Sequence, residues 1–344
     1  VNAWLEIVSP GLGVSVQDAG RSGHRAIGVP LSGALDPTGL AAANLLAGNE
    51  AGAAGLEVLL AGPVLRAVDA PLRIALGGSL AGRLIPRDGP PRPVAAWSAL
   101  TLQAGDTLHL VNAPGAGYLA VSGGLQVMPA LGSRASYPRA GLGPPPLQAG
   151  QRLPCRQATD RAQPDLQADS LLHPDGPIRV IPGPQAGHFT PSALATFLSE
   201  PYRIGQQRDR MGIRLDGPPL AHSELGADIV SDGVAPGAIQ VPADGRPILL
   251  LADCQTVGGY PKIATVIRAD LPRIAHLQAG DSLRFAAVDA RQAAAARADL
   301  ASRLQAWQAS IRPRGGLTDS AALLAANLAG AAVRGDEDPL QTQP

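Results

Sequence analysis

With 344 residues, 45% of them hydrophobic, the chain can bury one large core or two smaller ones, which excludes a largely disordered protein. Forty-one glycines and 33 prolines against 3% aromatics indicate short strands joined by tight turns and exclude a long helical bundle. Twenty-eight basic and 28 acidic side chains give zero formal charge with no basic block, so nothing in the charge pattern supports nucleic-acid binding.

In chain order, Trp4 to Val8 and Gly13 to Val16 read as two strands around a Pro10-Gly11 turn. The clearest helix of the first half runs from Asp36-Pro37 to Asn49: Asp36 suits the N-cap, Pro37 the first helical position and Gly48 the stop. Apolar runs at Leu56 to Leu60, Val64 to Val68, Leu72 to Leu76, Thr107 to Val111 and Tyr118 to Val121, separated by turn residues, favour a barrel or sandwich over alternating βαβ units. Pro144 to Gly176, rich in Pro, Gln and Asp, reads as a connector. Strand signals resume at Ile178 to Ile181, a short helix is capped by Thr190 with Pro191 behind it, and further strands fall at Ile248 to Leu251 and Ile263 to Ile267. An alanine-rich helix spans Asp289 to Ile311, and a second possible one Thr318 to Val333.

One short motif recurs. Leu102-Gln103-Ala104-Gly105-Asp106 returns as Leu277-Gln278-Ala279-Gly280-Asp281, with a weaker copy at Leu147-Gln148-Ala149-Gly150. Each reads as a turn that starts a hairpin strand, with Gly supplying positive φ. The chain is therefore read as mainly β with a few helices, in two related β-barrel halves. Residues 1–150 form a first subdomain, 151–176 a linker, 177–288 a second subdomain, 289–333 a helical extension and 334–344 a disordered tail.

Familiar signatures are missing. Lys262, the one lysine beside 27 arginines, stands between Pro261 and Ile263, so there is no Walker A loop, and neither Met128 nor Met211 flanks it as in a biotinyl site. No G-x-G-x-x-G, G-x-S-x-G or H-E-x-x-H occurs. Histidines 24, 109, 173, 188, 222 and 276 never fall at i, i+2 or i, i+4, which gives no support to a local metal site, and none is predicted. Cys155 and Cys254 suggest neither a disulfide framework nor a metal knuckle, and no apolar run approaches the roughly 18 residues of a membrane span. The reading is a soluble, cytoplasmic protein.

Polar density within glycine-rich segments remains. In the first region, Gln17 to Asp36, Asp18, Arg21, Ser32 and Asp36 either serve the loop itself, Asp18 pairing with Arg21 and Asp36 capping the helix, or also touch a ligand. In the second, Gln207 to Arg214, Arg210 belongs either to an exposed strand edge or to an anion site. The third joins Ser231 to Pro242 with Leu251 to Ile263, where an apolar strand ends at Asp253 and a Gly-Gly turn presents Gln255, Thr256, Tyr260 and Lys262. Cys254 has no neighbouring base and reads as a small filler, not a nucleophile.

The segments VQDAGRSGHRAIGVPLSGALDP, DRMGIRLDGPPL, SDGVAPGAIQVPADGRPILLLADCQTVGGYPKIATVIRADLPR and LQAGDSLRF resemble the biotin-dependent carboxyltransferase family, also called allophanate hydrolase subunit 2. The likeness runs from about Leu5 to Val288 and is strongest toward the C-type component of 5-oxoprolinase complexes. It implies two cyclophilin-like β-barrel subdomains and an active site completed by a B-type partner protein, joined by an A-type one in the oxoprolinase members. Those members open the lactam of 5-oxo-L-proline to L-glutamate at the expense of ATP, so ATP with Mg2+, shared with the partner proteins, is the implied cofactor. The alternatives within the family are carboxyl transfer to urea from a biotinylated partner and a regulatory role in binding a B-type kinase inhibitor.

Carried over by motif position, Asp232 and Asp253 become candidate general bases, and Lys262, Arg21 and Arg210 candidate holders of phosphate or carboxylate. Gln255, Thr256 and Tyr260 would orient the ring amide, with Asp18, Ser32, Asp36 and Gln240 as further substrate contacts. The resemblance departs at Cys254, a variable position, and beyond Ala290. The reading requires the stretches around Asp36 and Asp253 to converge on one cleft.

Overall fold

The computed structural model describes residues 2–156, 163–171 and 173–314. The helix and tail expected beyond residue 317 lie outside the described residues. The protein is mainly β, with one half-barrel sheet and one nearly closed barrel sheet.

Two long antiparallel strands, Leu72–Ile85 and Thr107–Val121, form the spine of the first, eleven-stranded sheet. They pair from Ile74 opposite Val121 to Ile85 opposite Thr107, with an irregularity between Gly78 and Leu80. The sequence showed only fragments of these strands, because Gly77, Gly78 and Pro114-Gly115 read as breaks. Val64–Val68, Asn2–Ser9 and Arg152–Arg156 extend the sheet on one side. Ser98–Leu102, Leu166–Gln167 and Arg312–Pro313 extend it on the other. Parts of the stretch read as a connector, 152–156 and 166–167, are thus sheet strands, and in the first of them alternate side chains are buried despite a Pro-rich composition.

The second sheet has eight strands. Its order is Ser282–Leu283, Tyr202–Arg208, Gly212–Asp216, Ile248–Leu250, Ala238–Gln240, Lys262–Val266, Ile178–Pro182 and Phe285–Ala287. The first and last of these are consecutive in the chain, so the sheet curls until its edges nearly meet, and all neighbours are antiparallel except Ile178–Pro182 with Phe285–Ala287. Closure of this kind leaves few unpaired edges.

The recurring motif folds the same way each time. In the first copy Gln103 N–H donates to Asp106 Oδ2 at 2.8 Å and Gly105 has φ +95°; in the second, Gln278 N–H donates to Asp281 Oδ2 at 2.7 Å and Gly280 has φ +94°. In the weak copy Gln151 replaces the aspartate and its Oε1 accepts from Gln148 N–H at 3.1 Å. In all three the glycine N–H donates to a neighbouring strand, at Ala67, Ile204 and Ile7, so positive φ is what lets the turn dock on its sheet.

Four helices occur among the described residues. Helix α1 (Pro37–Leu46) is capped by Asp36 as expected, its Oδ1 accepting from Thr38 and Gly39 N–H at 2.9 Å each. Helix α2 (Pro191–Ser199) is capped by Thr190. The short α3 (Leu271–Ile274) was not anticipated, being too brief for periodicity to show. Helix α4 (Ala290–Gln308) opens with a capping box between Asp289 and Gln292. Trp307 docks its end, edge-on to Trp97 at 5.5 Å and donating from Nε1 to Asp169 O at 2.7 Å. The core that holds Trp97 and Trp307 runs from α1 through the inside of the second barrel, while a separate core fills the first sheet. No helix among the described residues is long and apolar enough to cross a membrane.

Candidate functional site

The stretches around Asp36 and Asp253 do meet, and they meet as a buried joint. Arg210, on the turn before Gly212–Asp216, donates from Nε to Asp253 Oδ2 at 2.9 Å and from Nη2 to Asp253 Oδ1 at 3.2 Å. The same guanidinium reaches Glu57 Oε1 through Nη1 and Gly33 O through Nη2 at 2.6 Å. Glu57 Oε2 in turn accepts from Leu35 N–H at 2.7 Å and from the Tyr118 hydroxyl at 3.0 Å. Burial pushes the Glu57 carboxyl up, against the pull of Arg210, and pushes the Tyr118 hydroxyl up further, whereas flanking carboxylates overcome burial and hold Arg210 protonated. Two elements clasp the loop from the other side: Ser32 N–H donates to Ala252 O at 2.9 Å, and Arg25 Nη2 to Val234 O.

Several expected ligand contacts are therefore reassigned. Asp253 is buried with both oxygens on Arg210, so it anchors the joint, and the Arg210 guanidinium bonds Asp253, Glu57 and Gly33 O. Arg21 is buried, and it donates to the carbonyls of Ala130 and Ala135. Asp18 does not pair with it but accepts from Gly20 N–H at 2.8 Å and Ser133 Oγ at 2.6 Å, fixing the same loop. Long polar side chains in a Gly-rich loop look alike in sequence whether they face a ligand or a neighbouring segment. Cys254 is a buried filler, as anticipated, its thiol pushed up to about 11 by burial.

A second group lies on the second barrel, around the strands Ala238–Gln240 and Lys262–Val266. Gln240 and Lys262 are cross-strand partners, and Lys262 Nζ donates to Asp232 Oδ2 at 2.7 Å and to Gly233 O at 3.1 Å. Gln185, not anticipated from sequence, donates to Asp232 Oδ2 at 3.2 Å and accepts from Lys262 N–H at 3.3 Å. Gln255 donates to Gln240 Oε1 at 3.2 Å. A Cβ on Gly258 would stand 2.5 Å from Gln240 Nε2, so only glycine leaves that amide its place. The Lys262 side chain is 5% exposed and that of Asp232 54%, so the ammonium sits behind a carboxylate that faces solvent. Lys262, the Gly233 N–H and Gln185 together hold the Asp232 carboxyl below its ordinary range.

Gln240, Gln255 and Tyr260 also line a hollow of about 420 Å³ with Gln207, Arg208 and Asp209. Thr256 is buried, its carbonyl accepting from Val234 N–H. Ser32 lines a different hollow, of about 620 Å³, between the loop before α1, the Leu251-Ala252 end of a strand, α3 and α4. The stretches around Asp36 and Asp253 thus share this hollow, as expected, while Gln240, Gln255 and Tyr260 line the other. Beside Asp232, the side chains of Val230 and Val257 are exposed, as is Tyr260 two residues beyond the paired Gly258, and Ile229 and Gly259 join by a backbone hydrogen bond. Sequence spacing also missed a pair of histidines: His173 Nε2 and His276 Nε2 lie 3.2 and 2.9 Å from Asp36 Oδ2.

A half-barrel joined by a buried polar network to a nearly closed barrel, with the motifs above on the joint and the second barrel, defines the class of protein. Residues 27–287 match the profile of the carboxyltransferase domain, subdomains A and B, and the chain belongs to that family. It is 35% identical over 303 residues to the C-type subunit of 5-oxoprolinase from Escherichia coli, covering 86% of this chain and 94% of that one. The corresponding Haemophilus influenzae protein is 32% identical, with 81% and 90% covered, and the urea amidolyase of Saccharomyces cerevisiae 29%, with 82% and 16% covered. Among solved structures, TTHA0988 superimposes with a TM-score of 0.70 at 34% identity, over 83% of this chain and 56% of that one. The Kluyveromyces lactis urea amidolyase shares the fold, with a TM-score of 0.78 at 24% identity over 91% and 21%.

Proposed function

We propose that this chain acts as the C-type subunit of a multi-component 5-oxoprolinase, contributing half of the site at which the lactam of 5-oxo-L-proline is opened to L-glutamate with ATP hydrolysis. Its likeness to the C-type subunits of two bacterial 5-oxoprolinases supports the class. The structural observation that carries the reading is a polar cluster on the second barrel in which a buried ammonium backs a solvent-facing carboxylate: Lys262, Gln185 and Asp232, beside the exposed apolar side chains of Val230 and Val257. Exposed apolar side chains beside a polar centre suit an interface with a partner protein.

The chemistry follows from the groups present. A secondary lactam offers one N–H donor and one carbonyl acceptor, and the Gln240–Gln255 pair, one amide already fixing the other, can read both. Asp232 is kept ionised by Lys262; Lys262, Gln185 and the Gly233 N–H each occupy a lone pair, and the solvent-facing carboxylate retains one on Oδ1 that can orient an attacking water and take its proton. Lys262 is then a positioning residue and not a direct substrate contact.

Lys262, Arg21 and Arg210, the cations expected to hold phosphate, all have protein partners, so these residues do not fit a triphosphate cradle. ATP and its Mg2+ belong, in this reading, to a partner protein of the complex. Mixing the chain with its B-type and A-type partners and measuring ATP-dependent glutamate formation from 5-oxoproline tests the proposal, which fails if the assembled complex forms none. Similarity to urea amidolyases favours carboxyl transfer as the second reading. That activity requires a biotinylated partner and is abolished by avidin, whereas lactam opening is not.

A further inference from the structure

We propose that Asp36, His173 and His276 form a binding site for one first-row divalent metal ion, with zinc as the best fit, at the joint between the two sheets. The three residues come from the start of α1, the connection leading into Ile178–Pro182, and the turn after α3, so no local spacing could announce them. Asp36 Oδ2, His173 Nε2 and His276 Nε2 all lie within 4.8 Å of one another. The distances of 3.2 and 2.9 Å from the carboxylate oxygen to the two nitrogens suit a shared ion. An ion about 2.1 Å from each atom would see O–metal–N angles of roughly 90–100°, between octahedral and tetrahedral values.

The donor set is held ready. The N-cap bonds occupy Asp36 Oδ1, which fixes the carboxylate and leaves Oδ2 for the imidazoles. The Asp36 side chain is 2% exposed, while those of His173 and His276 are 16% and 26% exposed, so the carboxylate is shielded and the imidazole side stays open to an entering ion and its water. The rings tilt at 39° with centroids 5.1 Å apart, leaving room between them. Two imidazoles and a carboxylate are the ligands that zinc and its first-row neighbours take, with water completing the shell.

A metal here requires the Nε2 lone pair of each imidazole, so any ring proton that bonds Asp36 from Nε2 in the metal-free state moves to Nδ1 or to solvent on binding. An ion held here would tie the first sheet, the connector and the second barrel together and would stabilise the folded chain by mass action.

The test uses the full chain, stripped with EDTA and titrated with Co2+, reading the visible d–d bands, and then with Zn2+ by calorimetry and thermal denaturation. The proposal predicts one equivalent bound, d–d bands without a thiolate charge-transfer band, and a melting temperature that rises with Zn2+ to saturation. His173→Ala and His276→Ala each weaken binding by more than about 10-fold, as even loss of an outer-shell partner does. His276→Gln keeps a hydrogen-bond donor for Asp36 but removes the imidazole, so it folds as the parent does and loses the zinc-dependent rise in melting temperature. No Co2+ bands, a thiolate band that places the ion on Cys254 or Cys155, or a zinc response unchanged in His276→Gln would each overturn it.

Discussion

Arg210 of the second barrel and Glu57 of the first sheet form an ion pair across the joint between them, and the same guanidinium grips both oxygens of Asp253. This contact fixes the relative placement of the loop before α1 and the strand end at Asp253, the two segments on which any shared site depends. Breaking such a pair leaves an uncompensated buried charge, which is more damaging than the pair is stabilising.

Arg210→Met should therefore lower stability by about 3–5 kcal/mol, read as a lower midpoint in urea unfolding. Double replacement with Glu57→Gln should recover part of that loss, because the stranded Glu57 charge is removed while that of Asp253 remains. A single mutant as stable as the parent would show that the joint contributes little.

Trp307 pins α4 through its edge contact with Trp97 and its bond to Asp169 O. Trp307→Ala should cost about 3–5 kcal/mol, as for other buried tryptophans. Trp307→Phe, which keeps the ring contact and loses only the hydrogen bond, should cost less; equal losses would mean that the bond matters more than the packing.

The Asp232 carboxyl should titrate below the ordinary aspartate value of about 3.9, since Lys262, Gly233 N–H and Gln185 favour its charged form. The folded value is the depressed one, so its contribution to stability is present above about pH 3.9 and is lost as pH falls through the folded value. Asp232 is exposed, so the contribution is small. Carbon-detected NMR on the carboxyl is the measurement, and Lys262→Met should move the midpoint up. An unmoved midpoint would remove Lys262 as the cause.

Cys254 should resist alkylation by iodoacetamide at pH 8 in the native chain, because burial pushes its thiol up to about 11. Cys254→Ala should leave activity of the assembled complex within about twofold, since no reacting group is removed. Rapid labelling of Cys254 in the folded protein would contradict the first expectation, and a larger loss of activity in Cys254→Ala the second.

Local features were legible in the sequence where one residue type does one job. Asp36 and Thr190 cap the helices they were expected to cap, and the Gly-Asp turns at Gly105 and Gly280 match in their hydrogen bonding. Gln240, Gln255 and Lys262, named from the family motifs, are neighbours on the second barrel. Long-range polar pairing was not legible. Nothing local to Arg210 distinguishes a partner in Glu57, 153 residues away, from an anion, and His173 and His276 reach Asp36 only because two connections converge on the cap of α1.

The most direct test is glutamate formation from 5-oxoproline by the reconstituted complex, comparing the parent chain with Lys262→Met and Lys262→Arg while complex assembly is followed by gel filtration. The parent complex should turn over with ATP. Lys262→Met should assemble normally and lose about 100-fold or more in kcat, within the range of acid–base contributions, and Lys262→Arg should recover a measurable part. A Lys262→Met complex as active as the parent would show that the Asp232–Lys262 cluster is not the site of chemistry.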